Sequence, residues 1–227
     1  MKALFFGSIG AVVETSELQR EAFNTAFQNH GLDWHWDRES YRDALVASGG
    51  AQRISDYAQT LGQEVDAAAI HATKTEIFQT LMDERPLSPR EGVVAALELA
   101  RARSMATALV SSTDARSVAR VEALIAKDAS HTFDHATSAN EGHPQKPARD
   151  IYVSVVKRLD LDAADTLVIE DNAAGVASAN AAGCFVVAYP GANTGDHDYS
   201  NADIVCTPDL ADTVRAVLDG THVEKPT

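Results

Sequence analysis

The apolar positions of the chain fall into two textures. Ala3–Phe6 is a short unbroken apolar run, the pattern of a strand buried on both faces. Leu18, Ala22, Phe23, Ala26 and Phe27 then share one helical face, and Gly31 stands where a left-handed cap ends a helix. Ser16-x-x-Gln19 at its start has the form of a capping box. The period stays helical to about Met82, with helices predicted at Arg38–Val46, Ala51–Leu61, Asp66–Ile70 and Ala72–Met82 and no strand between them. After Pro86 the texture alternates. Gly92–Arg101 reads as a helix and Met105–Val110 as a strand. Asp114 caps a helix whose Val118, Val121 and Ile125 share a face. Pro147 takes a first-turn position before Ile151, Val155 and Leu159. Thr166–Ile169, Phe185–Ala188 and Ile204–Val205 read as strands, Ala173–Ala182 and Asp209–Leu218 as helices.

Strands alternating with helices predict a parallel sheet covered on both faces. The expected architecture is therefore α/β: a doubly wound, Rossmann-like core at residues 1–14 and 86–220, with an inserted α-helical cap at 15–85 and a tail at 221–227.

Composition narrows the function classes. The chain has 227 residues, 45% of them hydrophobic, enough to bury a full core. Its formal net charge is -14, and no Lys/Arg run offers a basic patch, so nucleic acid is not an expected partner. No apolar run approaches the ~18 residues of a membrane span. Lys2 followed by Ala3–Val13 imitates a secretory leader, but no small-residue cleavage site precedes Glu14 and Glu17. Cys184 and Cys206, in apolar runs, read as buried reduced thiols, and a cytoplasmic location is expected.

Ligands of an open parallel sheet sit beyond the carboxyl ends of its strands. Those ends carry Gly7-Ser8-Ile9, Ser111-Ser112-Thr113 and Glu170-Asp171, and Lys146 lies just before a helix. Each has two readings. Ser111 and Ser112 either bind a phosphoryl group or belong to a capping loop. Lys146 is a phosphate partner or a surface lysine. Asp171 is a metal ligand or a helix cap. Taken together, hydroxyl, lysine and acidic pair in this order suit phosphate plus Mg²⁺.

These motifs carry a resemblance. "LVSSTD", "QKPARDIYVSVVKRL" and "VIEDNAAGVASANAAG" resemble the second, third and fourth motifs of the haloacid dehalogenase (HAD) superfamily, in its helical-cap subclass. "DWHWDRESYRDALVASGGAQRI" resembles the cap of CbbY-type sugar-phosphate phosphatases, relatives of β-phosphoglucomutase. The resemblance implies that Ser111 and Lys146 hold the phosphoryl group. It makes Asp171 a Mg²⁺ ligand assisted by Glu170, and sets Arg53 and Lys74 on the distal part of a phosphorylated sugar.

The first motif departs from this pattern. Gly7 and Ile9 occupy the positions of two aspartates that the resemblance assigns as nucleophile and as acid/base, and Gln19 stands where close relatives carry His. The reading is a phosphatase scaffold that binds a phosphorylated small molecule or inorganic phosphate without turnover, a pseudoenzyme with weak or absent Mg²⁺. A protein partner is compatible with such a role. The alternative is a hydrolase with a substitute nucleophile, for which Ser8 and Glu14 are the nearest groups. Ser8 is expected to face away from the site, because side chains alternate along a strand.

Overall fold

The computed structural model describes residues 1–45, 49–129, 132–206 and 209–221. Along the chain run β1 (Ala3–Phe6), α1 (Ile9–Val12), α2 (Ser16–Asn29), α3 (Arg38–Ala44), α4 (Gly50–Thr60) and α5 (Ala67–Glu84). There follow α6 (Val93–Ala102), β2 (Ala106–Val110), α7 (Ala115–Asp128), β3 (His135–Thr137), α8 (Asp150–Arg158), β4 (Thr166–Glu170) and α9 (Ala173–Ala181). The last are β5 (Phe185–Ala188), β6 (Ile204–Val205) and α10 (Leu210–Leu218). The six strands pair in parallel in the order β3-β2-β1-β4-β5-β6. The protein is thus α/β, with an N-terminal helical region following the first strand.

β1 lies at the centre, and Phe6 is in register with Leu109 of β2 and Ile169 of β4. Alternation along it feeds two cores: Leu4 and Phe6 join one face, Ala3 and Phe5 the other. All four are fully buried, as expected of a strand between two helical layers. This register sets Gly7 beside Glu170, so chemistry at the ends of β1 and β4 shares one spot. The helical region has its own core, in which Phe23, Phe27, Trp34, Trp36 and Tyr41 pack together. Among the described residues no helix is long and apolar enough to cross a membrane. Cys184 and Cys206 are buried free thiols.

Several expectations are corrected. The capping box does not form. Ser16 is already helical, its hydroxyl donates to Glu14 at 2.5 Å, and Gln19 is engaged by Lys74. A nearby carboxylate outcompetes the reciprocal cap. Asp66–Ile70 and Ala72–Met82 are one helix, α5, because Ala72 gives no break. The helix after Pro147 begins at Asp150, three residues later than expected. Strand β3 and helix α1 were not anticipated, being three and four residues long. Gly31 does adopt the left-handed cap, at φ 69°. The end of the predicted Arg38–Val46 helix and most of the tail lie outside the described residues.

Asn24 ties the helical region together from inside. Its side chain donates to the Trp36 carbonyl at 2.9 Å and accepts from the Trp36 N–H at 2.8 Å. Asn24→Ala leaves that buried N–H unpaired, while Arg20 still serves the carbonyl. The expected cost is about 1–3 kcal/mol. It is read as a lower urea midpoint by tryptophan fluorescence, since both tryptophans, Trp34 and Trp36, lie in this core. An unchanged midpoint would refute the assignment.

Candidate functional site

A cavity of about 400 Å³ lies between the carboxyl ends of the strands and the helical region. Gly7, Ile9, Ser111, Ser112, Lys146 and Asp171 line it from the sheet. Gln19, Arg53 and Lys74 line it from the helices. The structure thus gathers the expected site residues around one space, with one exception: Glu170 lies beneath the cavity and is fully buried.

Glu170 is held by a closed network. Lys146 Nζ lies 2.7 Å from Glu170 Oε1, donates to Val110 O at 2.9 Å and also donates to Gly7 O. The Tyr152 hydroxyl donates to the same Glu170 oxygen at 2.6 Å. Burial pushes the Glu170 carboxyl up, against the pull of Lys146. Burial, then the Glu170 charge, pushes the Tyr152 phenol well above its ordinary range. A lysine has three N–H groups, and here all are met within the protein. A phosphoryl group therefore has to compete for Lys146.

Glycine at position 7 is what lets this network close. A Cβ there would overlap the Tyr152 hydroxyl and the Glu170 carboxylate. Ile9, in turn, lines the cavity but is itself buried, in the apolar core that also holds Phe6 and Ile169.

Ser8 corrects an expectation. β1 ends at Phe6, so strand alternation no longer applies at Ser8, which is instead the N-cap of α1. Its hydroxyl accepts from the Ala11 N–H at 3.0 Å and donates to Asp171 Oδ1 at 2.6 Å, on the cavity wall. Asp171 itself caps no helix, because Asn172 is the N-cap of α9. Ser111 is buried, and its hydroxyl accepts from the Thr113 N–H at 3.1 Å.

The helical wall is cationic. Lys74 is 6% exposed and donates to Gln19 Oε1 at 2.7 Å. Its ammonium sits 4.8 Å from the ring centres of both Phe23 and Phe78. Burial, with help from nearby Arg53, brings the Lys74 amine down to about 7, and the Asp114 charge opposes that shift. Arg53 Nε donates to the Ala44 carbonyl at 2.6 Å. His71, also on the cavity, is lowered to about 4 by burial, Lys74 and Arg53.

The expected Mg²⁺ ligands do not make a carboxylate site as they stand. The end of β1 supplies no carboxylate, and Glu170 is committed to Lys146 and Tyr152. Asp171 Oδ1 is taken by Ser8 and by Asn172, 2.8 Å away, and Oδ2 abuts Gly10. Among the described residues no three His, Cys, Asp or Glu side chains converge as metal ligands. Sequence reasoning missed Tyr152 and His197. Tyr152 looked like one more position on an amphipathic helix, and His197 lies in a loop without hydrophobic period.

Comparison with known proteins places this geometry. Residues 1–183 match the haloacid dehalogenase-like hydrolase family. CbbY of Rhodobacter capsulatus is 34% identical over 207 residues, 89% of this chain and 91% of that protein. The crystal structure of CbbY from Rhodobacter sphaeroides with phosphate has a TM-score of 0.78 at 31% identity, covering 91% and 93% of the two chains. A mutant of the same protein with xylulose-(1,5)bisphosphate has a TM-score of 0.79 at 31% identity, covering 90% and 93%. The chain belongs to the haloacid dehalogenase-like hydrolase family, as a CbbY-like member.

Proposed function

We propose that the protein binds a phosphorylated sugar or inorganic phosphate in this cleft and does not transfer the phosphoryl group. The observation that carries the reading is the end of β1. Gly7 brings no nucleophile, Ile9 no proton-transfer group, and the Tyr152–Glu170–Lys146 network fills the space a side chain at 7 would need. Phosphate and a sugar bisphosphate bound to a 31%-identical relative support the ligand class. Ser111 and Ser112 meet the phosphoryl group, Lys146 turning toward it as Glu170 is left to Tyr152. Arg53, Lys74 and Gln19 hold the distal part of the ligand. Residues 15–85 act as a cap over a core formed by 1–14 and 86–220. Two buried reduced thiols fit a cytoplasmic setting.

One observation favours a second reading. The Ser8 hydroxyl, 2.6 Å from Asp171 on the cavity wall, is a nucleophile beside a carboxylate base. It also serves as the cap of α1, a role it would have to leave to attack phosphorus.

The unaltered chain is expected to show no hydrolysis of xylulose 1,5-bisphosphate. Loss of nucleophile and base together can cost on the order of a million-fold in turnover. Mg²⁺-dependent turnover that disappears in Ser8→Ala would establish the second reading instead. Gly7→Asp/Ile9→Asp must displace Tyr152 and Glu170. It is expected to melt lower than the unaltered chain without Mg²⁺, by about 1–3 kcal/mol.

Mg²⁺ alone is expected to bind weakly, since Glu170 is committed to Lys146 and Tyr152, and Asp171 Oδ1 to Ser8 and Asn172. Calorimetry without phosphate should show no saturation, and tight saturable binding would refute this.

Lys74 adds a pH dependence. In the free protein its amine lies at about 7. A phosphoryl anion nearby favours the ammonium and raises that value. Binding near pH 7–8 should therefore take up protons, and affinity should fall as pH rises above about 7. Calorimetry in buffers of different ionisation enthalpy measures the uptake. It should vanish in Lys74→Met; identical uptake in that variant would assign it elsewhere.

A further inference from the structure

We propose that His197 donates an Nε2–H hydrogen bond to a phosphoryl oxygen of the ligand, making loop 191–199 a third wall of the cleft. The inference rests on the ligand class proposed above and adds a residue outside every motif that carries the family resemblance.

The loop is fixed to the site by one carbonyl. Thr194 Oγ1 and the Tyr199 hydroxyl both donate to Asp171 O, at 2.6 and 2.9 Å. The His197 ring stacks on Tyr199, with centres 6.3 Å apart and planes at 28°. Its place is set by helix α9, whose first N–H groups have no partner within the helix. Asn172 takes the Gly175 N–H at 2.9 Å, and His197 Nδ1 takes the Ala173 N–H at 3.4 Å.

That second bond decides the tautomer. An Nδ1 that accepts carries no proton, so the neutral ring bears its hydrogen on Nε2. Burial lowers the His197 pKa and Arg53 adds to this, while Asp171 and Asp196 oppose it, so the ring is neutral at pH 7. Nε2 is buried and has no hydrogen-bond partner among the described residues. Three other buried ring nitrogens share that state, on Trp36, His135 and His143, and none of those residues lines the cavity. A buried N–H without an acceptor is costly; the His197 ring lines the cavity, and a ligand oxygen that reaches Nε2 from there removes the cost. Phosphoryl oxygens are the acceptors the rest of the cleft selects.

Two substitutions separate the ring's two tasks. Asn places its amide near the Nδ1 position and can still accept from Ala173, but lacks the far donor. Gln places an N–H near the Nε2 position. The probes are inorganic phosphate and fructose 1,6-bisphosphate, titrated by calorimetry into the full chain. His197→Asn should weaken binding of one or both about fivefold, and His197→Gln should recover most of that loss. Long-range ¹H–¹⁵N spectra of the imidazole should show the Nε2–H tautomer in the free protein, with the Nε2 resonance shifting on addition of phosphate. Unchanged affinity in folded His197→Asn, or an Nδ1–H tautomer, overturns the inference alone. If the unaltered chain takes up neither probe, the proposed function falls and the inference falls with it.

Discussion

The site is organised around a buried ion pair. Glu170 ends the strand beside β1 and is fully enclosed, where an isolated carboxylate would be costly by several kcal/mol. Lys146 at 2.7 Å and the Tyr152 hydroxyl at 2.6 Å meet one of its oxygens. The same ammonium reaches the carbonyls of Gly7, the residue after β1, and of Val110, the last residue of β2. One cation thus joins the ends of three adjacent strands and the helix that carries Tyr152. Removing Lys146 would leave Glu170 as an uncompensated buried charge, whereas removing the whole network could be tolerated. The glycine at position 7 is part of the same arrangement. With a side chain there, the tyrosine and the carboxylate could not both hold their places.

The helical wall of the cleft has the opposite electrostatic character from the protein around it. The chain carries a formal net charge of -14, yet the helical wall of the cavity presents Arg53 and a Lys74 whose hydrogen-bond partner is a neutral amide. Acidity on the outer surface keeps the molecule from collecting polyanions indiscriminately. Arg53 and Lys74 on one wall of a pocket of about 400 Å³ favour a small anion that can enter it. Gln19 fits this division, since a neutral acceptor steadies Lys74 without cancelling its charge.

Much of this was legible in the residues, and what was not has physical reasons. The long, strongly patterned elements α2, α7 and α10 and the apolar strands β1, β4 and β5 follow directly from periodicity. The short ones do not. Ile9–Val12 is apolar on every side, so a four-residue helix there cannot be told from a continuing strand. That ambiguity misdirected the reading of Ser8, because the pleat that would have turned it away stops at Phe6. The strand-end motifs pointed to Ser111, Lys146 and Asp171, which the structure sets around one cavity. They said nothing of Tyr152, whose importance comes from an absent side chain 145 positions earlier.

Loop 191–199 links the two walls of the cleft and so couples their positions. Toward the helices, the Ala192 N–H donates to Glu14 at 2.8 Å, Asn193 donates to Glu17 at 2.8 Å, and Arg42 donates to the Ala192 carbonyl at 3.2 Å. Toward the sheet, Thr194 and Tyr199 converge on the Asp171 carbonyl. In the first set the Ala192 and Arg42 bonds lie at the surface, where single hydrogen bonds contribute little net stability against water, and only the Asn193–Glu17 bond is partly buried. The second set is partly buried, so water competes less for it. If the helices move away from the sheet, the weaker set gives first and the loop stays with Asp171. The polar contacts that tie the helices to the sheet side of the cleft are therefore carried by one short segment, with its firm end at the floor of the site.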